Sequence, residues 1–196
     1  MELFPLFLKL RGRRVLVVGA GPVAASKLAG LLTAGASVTV VAPEVCAAVR
    51  ETGVTVEQRT FEDSDLDDVW YVVAAATPDV NARVARAAEA RRLFVNAVDD
   101  PPNASAYLGG VVRRDGVTIA ISTSGEAPAL AGLLREGIDA VLPADLERWT
   151  ATSREVRAEW KARGVPMAER RPQLLEALVA LYPEVEPGLK TRPTSA

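Results

Sequence analysis

Apolar positions in the first hundred residues alternate between two rhythms. Short runs rich in valine, Val15–Val18, Ser37–Val41, Val54–Gln58, Trp70–Ala75 and Phe94–Val98, are too short for helices and read as strands. Val15–Val18 carries no polar residue, as expected of a central parallel strand buried on both faces. Val54–Gln58 is polar enough for an edge. Between the strands lie stretches with helical spacing. Ala24–Ala34 places Leu28, Leu31 and Leu32 on one side and meets Gly35, a C-terminal stop. Pro78–Ala90 is an alanine-rich helix opened by proline. Strands alternating with helices predict βαβ units, parallel pairing and a doubly wound sheet of the Rossmann type.

The rhythm changes after Pro101-Pro102, which stop regular structure. Asp115-Gly116 stands between two β-rich runs and predicts a hairpin. Pro128–Leu142 reads as an amphipathic helix with an apolar stripe of Leu130, Leu133, Leu134, Ile138 and Val141, ended by Pro143. From Asp145 to Tyr182 the pattern stays helical, with Trp149, Val156, Trp160, Leu174, Leu175, Leu178 and Leu181 as expected buried positions. The last thirteen residues, EVEPGLKTRPTSA, read as a loose tail. The expected fold is α/β: a Rossmann-type parallel sheet, then a small α+β segment, then a C-terminal helical region. The expected boundaries are 1–112, 113–143 and 144–196.

Composition narrows the chemistry. The 196 residues are 49% hydrophobic and 24% charged, ordinary for a globular chain. A net charge of −2 gives no basic field for nucleic acid or an anionic membrane. The single cysteine, Cys46, allows no internal disulfide and is read as a small apolar residue in a reducing compartment, so the expected location is cytoplasmic. No apolar run approaches the ~20 residues of a membrane helix, and the N-terminal charges follow the apolar run, the reverse of a signal peptide. Histidine is absent. That removes an imidazole base, a Ser-His-Asp triad and histidine metal ligands, and no metal site is expected. Carboxylates, hydroxyls, lysine or a borrowed cofactor must carry any reaction.

The borrowed cofactor has a signature. Gly19-Ala-Gly21-Pro22-Val23-Ala24 follows a buried strand and opens a helix, the G-x-G-x-x-G/A spacing of a dinucleotide site. The first glycine allows the tight turn, the second removes a Cβ where a pyrophosphate approaches, and the small third residue lets the helix pack on the strand. The phosphates then meet the positive helix end, and Pro22 sits where a missing N–H is harmless. The second strand ends in Val41-Ala42-Pro43-Glu44 with no arginine for a 2′-phosphate, which favours NAD over NADP. Glu44 comes slightly late for the ribose-binding acid, and two readings stay open for it: ribose contact or a solvated loop carboxylate. Ligands of such sheets lie beyond the carboxyl ends of the strands, which is where Asp99 and Asp100 stand. Without histidine, a carboxylate is the leading general base.

Four stretches together resemble one family: FPLFLKLRGRRVLVVGAGPVAASK, AAATPDVN, FVNAVDDPPNASAY and ISTSGEAPALAGLLRE. They look like precorrin-2 dehydrogenase, which makes sirohydrochlorin on the way to sirohaem. The resemblance covers roughly three quarters of the chain and continues weakly through MAERRPQLLEAL. It implies NAD-dependent removal of a hydride and a proton from the tetrapyrrole precorrin-2, in a homodimer, with Asp99 as the functional aspartate. It leaves open whether the same chain also inserts iron or cobalt. It matches Ser122 to a serine bordering the substrate, with Ser124 in the same turn; both serines could instead bond only backbone groups. Thr77 and Asn96 end strands on the cofactor side, where they touch the cofactor or satisfy loop backbone. Val23 and Val98 complete the expected cofactor contacts.

A substrate with eight carboxylates calls for local positive charge. Arg113 and further arginines out to Arg171 lie beyond the Rossmann part, either as carboxylate clamps or as a solvated face. The hairpin and the helix from Pro128 are too thin for a core of their own, and the family uses this segment for an intertwined dimer. The rival reading is an NAD-sensing regulatory module without catalysis.

Overall fold

The computed structural model describes residues 3–182. The elements run β1 (Arg14–Val18), α1 (Pro22–Thr33), β2 (Ser37–Val41), α2 (Ala47–Arg50), β3 (Thr55–Glu57), β4 (Tyr71–Ala74), α3 (Pro78–Ala90), β5 (Val95–Ala97), β6 (Gly110–Arg114), β7 (Val117–Ile121), α4 (Pro128–Val141), α5 (Leu146–Arg163) and α6 (Met167–Val179). Single 3₁₀ turns at Asp63–Leu66 and Pro101–Asn103 precede β4 and follow β5. The prolines that stop regular structure therefore start one short turn, where their missing N–H groups are tolerated. The expected tail lies outside the described residues.

Contacts divide the chain into two units: residues up to Gly109 with Ser122–Leu130, and Gly110–Ile121 with Ala131 onward. The expected boundary at 112 falls inside β6, and the hairpin groups with the C-terminal helices instead of standing apart.

The first unit holds five parallel strands in the order β3-β2-β1-β4-β5. The polar β3 is at one edge, as its composition predicts. β1 is central, and its side chains alternate between two cores. Val15 and Val17 pack with Leu28 and Leu31 of α1; Leu16 and Val18 pack with Val84 and Ala88 of α3. Each side chain of this size adds roughly 1.5–3 kcal/mol when fully buried. α1 stops in a Schellman turn. Gly35 takes φ +73°, its N–H reaches the Leu32 carbonyl at 2.8 Å, and the Ala36 N–H reaches Leu31 at 3.1 Å. Leu32 stays 39% exposed, so the stripe of α1 is narrower than its spacing suggests. The far edge, β5, is covered by chain: Val95 N–H donates to Ser105 Oγ at 2.9 Å, and Asn96 Nδ2 donates to the Ala106 carbonyl at 3.0 Å.

In the second unit β6 and β7 pair antiparallel with Arg114 opposite Val117. Asp115 and Gly116, at φ +49° and +82°, make the tight turn that the Asp-Gly pair predicts. A Cβ on Gly110 would lie 2.7 Å from the Ala131 carbonyl oxygen, so the hairpin meets α4 at van der Waals distance only because that position is glycine. Arg114 ties the two together, donating to Asp139 Oδ1 at 2.6 Å and to the carbonyls of Asp139 and Leu142. The helical region breaks at Gly164, left-handed at φ +66°, giving the pair α5 and α6. Trp160 Nε1 donates to Gln173 Oε1 across that pair at 2.7 Å. The positions expected to be buried here are only half-buried, and Leu175 is 57% exposed. A hairpin and three helices offer these residues too little cover. No helix among the described residues is long and apolar enough to cross a membrane.

Candidate functional site

The glycine turn and the two loops beside it build the site. A Cβ on Gly19, at φ +102°, would overlap the Ala75 carbonyl oxygen, so this glycine is fixed by the close approach of the loop after β4. Gly21 is different: a Cβ there meets nothing within 4 Å. The turn is open in front of Gly21, at the N-terminus of α1. Pro22 occupies the first turn of α1, and no side chain caps its N-terminus. Backbone donors and the helix dipole are thus left available for an anion. Ala24 is fully buried against the sheet, as the third small position requires. An open turn, a close-packed small residue and an uncapped helix fit the pyrophosphate of a dinucleotide.

Beyond the carboxyl ends of β1, β4 and β5 lies a cleft of about 540 Å³. It sits where the strand order reverses between β1 and β4, the usual ligand position in an open α/β sheet. Val23 comes to it from α1; Ala75, Ala76, Pro78, Asp79 and Asn81 come from the loop and first turns after β4; Val98, Asp99, Asp100 and Asn103 follow β5. Asp99 is exposed and held at φ +55°, a left-handed conformation uncommon outside glycine that Asp tolerates better than most residues. Asp100 is committed to its own turn, because Asn103 Nδ2 donates to both of its carboxylate oxygens at 2.9 and 3.1 Å. No hydrogen bond to the Asp99 carboxylate is found among the described residues. The two adjacent aspartates therefore differ: one braces the loop and the other faces the cleft unengaged.

The structure brings Val23, Val98 and Asp99 into the cleft, with Gly19, Gly21 and Pro22 in the adjoining turn. Pro43 and Glu44 are exposed past the end of β2 and do not line it; the Pro43 carbonyl accepts from Gln58 Nε2 at 3.2 Å. Thr77 is exposed at the N-terminus of α3 without a side-chain capping bond. Asn96 is 7% exposed inside β5, and its amide nitrogen donates to the Ala106 carbonyl at 3.0 Å. Ser122 is exposed, and its Oγ accepts from the Ser124 N–H at 3.1 Å. Ser124 is itself left-handed at φ +55°, and Thr123 Oγ1 accepts from the Ala127 N–H at 3.2 Å. This serine turn rests on the chain that follows Asp99, since a Cβ on Gly125 would lie 3.3 Å from the Tyr107 ring and 3.4 Å from Pro101. Arg113 is exposed on β6 in the second unit and does not line the cleft. Of the other arginines, Arg114, Arg148 and Arg170 are spent on helix-end carbonyls or an aspartate. Cys46 is half-buried, and its N–H donates to the Ala20 carbonyl at 3.0 Å behind the glycine turn.

Sequence reasoning missed Asp79, Asn81 and Asn103 as cleft residues. One signal was present: an asparagine in the first turns of an alanine-rich helix is a poor helix former whose amide usually has a local use.

Comparison with known proteins bears on the same residues. Residues 6–110 match the family described as "Putative NAD(P)-binding", and residues 114–140 match "Sirohaem biosynthesis protein central". The chain is 44% identical over 177 residues to a siroheme synthase of Sodalis glossinidius (strain morsitans), covering 87% of this chain and 37% of that one. It is 39% identical over 176 residues to a siroheme synthase of Salmonella typhi, covering 87% of this chain and 38% of that one. The chain thus spans well under half the length of these curated relatives. Among solved structures it is similar to SirC, precorrin-2 dehydrogenase, with a TM-score of 0.68 and 27% identity over 89% of this chain and 88% of that one.

Proposed function

We propose a function from one premise: this chain belongs to the NAD(P)-binding family matched over residues 6–110. It is a dehydrogenase that uses NAD to oxidise precorrin-2 to sirohydrochlorin, releasing NADH and a proton. The observation that carries this reading is the unengaged Asp99 carboxylate in a cleft that adjoins an open Gly19–Gly21 turn. Support also comes from the likeness to SirC along nearly the whole of both chains.

The bound nicotinamide supplies the hydride acceptor. The protein's own residues do the rest. Gly21 and the N-terminus of α1 hold the pyrophosphate, and Val23 and Val98 form apolar walls of the cleft. Asp99 takes the proton that leaves with the hydride, and its left-handed backbone turns it out of the loop that Asp100 and Asn103 brace. Ser122 and Ser124 border the substrate from the turn seated on Pro101 and Tyr107. Arg113, exposed on the hairpin, is a guanidinium fork suited to carboxylates. The assembly is a homodimer joined through the hairpin and α4, whose leucines are exposed in the single chain. Its location is the cytoplasm, on the strength of one cysteine and no disulfide.

The test incubates the purified chain with precorrin-2 and NAD⁺ and follows NADH absorbance together with the sirohydrochlorin chromophore. Stoichiometric appearance of both is expected. NAD⁺ binding without turnover would favour a sensing module instead, and adding ferrous or cobaltous ion afterwards separates metal insertion from oxidation.

A further inference from the structure

Asn81 is the most deeply buried polar side chain facing the cleft, at 3% exposure. Its neighbours fix which end of the amide does what. The Ala76 backbone N–H lies 3.0 Å from Oδ1, and an N–H needs an acceptor, so the oxygen must point there. The nitrogen, Nδ2, makes no hydrogen bond to any described residue. Yet no fully buried side-chain nitrogen or oxygen among the described residues lacks a partner. Nδ2 therefore keeps open space beside it, and the open space that Asn81 borders is the cleft.

The bond from Ala76 also matters for what surrounds it. Ala75 N–H donates to the Val18 carbonyl at 2.8 Å, and the Ala75 carbonyl is the group that forces glycine at position 19. One side chain thus pins the loop that shapes the first glycine of the turn and leaves its Nδ2 donor to the cleft side. A donor left over on a mostly buried amide calls for a partner or water to take it. We infer that Asn81 is a binding residue for the dinucleotide, donating from Nδ2 to one of its oxygens while Oδ1 holds the Ala75-Ala76 loop in place. The inference rests on the reading of this cleft as an NAD site. The loop it pins packs on the glycine turn, which makes the cofactor and not the tetrapyrrole the ligand it meets.

The full chain is titrated with NAD⁺ alone, substrate omitted, by calorimetry, alongside Asn81→Asp and Asn81→Ala. The aspartate keeps an oxygen for the Ala76 N–H but has no donor at neutral pH. It should bind NAD⁺ at least about tenfold more weakly at a temperature where a thermal melt shows it folded. The alanine variant should lose thermal stability as well. An aspartate variant that binds as tightly as the parent overturns the proposal. Lowering the pH until that aspartate is protonated restores an O–H donor, so its affinity relative to the parent's at the same pH should recover, which a purely structural role would not produce. Should Asn81→Asp fail to fold, the side-chain amide signals of Asn81 in the unaltered protein are followed by NMR; they shift on saturation with NAD⁺ if Nδ2 binds it and stay put if it does not. A parent chain that binds no NAD⁺ defeats the cofactor reading itself, whereas a parent that binds and an aspartate variant that binds equally defeats only the role of Asn81.

Discussion

At the scale of single residues, the two glycines of the turn do different jobs, and substitution separates them. Gly19 is left-handed and pressed on the Ala75 carbonyl, so Gly19→Ala combines backbone strain of order 1–3 kcal/mol with a steric overlap. Its melting temperature should fall and its NAD⁺ binding vanish. Gly21 sits at φ −82° with nothing near its absent Cβ. Gly21→Ala should fold like the parent yet bind NAD⁺ at least about tenfold more weakly, because the added methyl occupies the pyrophosphate's approach. Calorimetry with thermal melts reads both; equal loss of stability in the two variants would contradict the distinction. Asp99→Asn tests the proposed base in the same spirit. Asparagine also tolerates the left-handed region, so stability and NAD⁺ affinity should hold while kcat falls by about 10²–10⁴. The glycine pair was legible in the sequence because its spacing follows from what a phosphate needs. The difference between Asp99 and Asp100 was legible only through the family resemblance, not from the residues themselves. It depends on a bond from Asn103 and on a backbone φ, neither of which residue types at a spacing can encode.

Among elements, the parallel sheet was readable strand by strand, since a strand buried on both faces has to be an unbroken apolar run. The ends of β3 and β5 were less so: Thr55–Glu57 and Val95–Ala97 are each one residue shorter at both ends than the runs that predict them. The helices after Pro143 were legible as helices but not as a weakly covered pair. What closes them is a polar clasp that no hydrophobic pattern announces. Tyr182 OH donates to Asp145 Oδ1 at 2.7 Å, Trp149 Nε1 donates to Tyr182 OH at 2.7 Å, and Arg148 bridges Asp145 Oδ2 and the Leu181 carbonyl. The Tyr182 hydrogen bond, with Arg148 beside it, holds the Asp145 carboxyl below its ordinary range. A carboxyl that titrates lower when folded adds stability that is fully present above the unfolded value of about 3.9 and disappears as pH falls through the folded one. Thermal melts from about pH 6 down to about pH 2 should therefore show acid weakening of the second unit that starts below about pH 4. Tyr182→Phe should remove part of that dependence and lower stability at neutral pH. An unchanged acid limb in the phenylalanine variant would show that the clasp contributes nothing measurable.

For the whole molecule, the question is how the second unit remains folded with so little inside it. Among its described residues only Val112, Ala131, Leu146 and Val165 are buried hydrophobics. Meanwhile Leu133 is 66% exposed, Leu134 45% and Val141 79%, all on α4. Burying such a leucine is worth roughly 1.5–3 kcal/mol, so several left in water on one helix stripe are a strong drive to association. A second copy is the occupant consistent with the proposed homodimer, and a two-fold contact would use the same stripe twice. Leu133→Glu places a charge at the centre of that stripe without touching the parallel sheet or the cleft. The variant should sediment as a monomer at micromolar concentration where the parent sediments as a dimer, and the parent's melting temperature should rise with protein concentration while the variant's should not. NAD⁺ binding should survive, because the glycine turn and the cleft belong entirely to the first unit. A parent that is monomeric throughout would mean the stripe is covered by something other than its own copy.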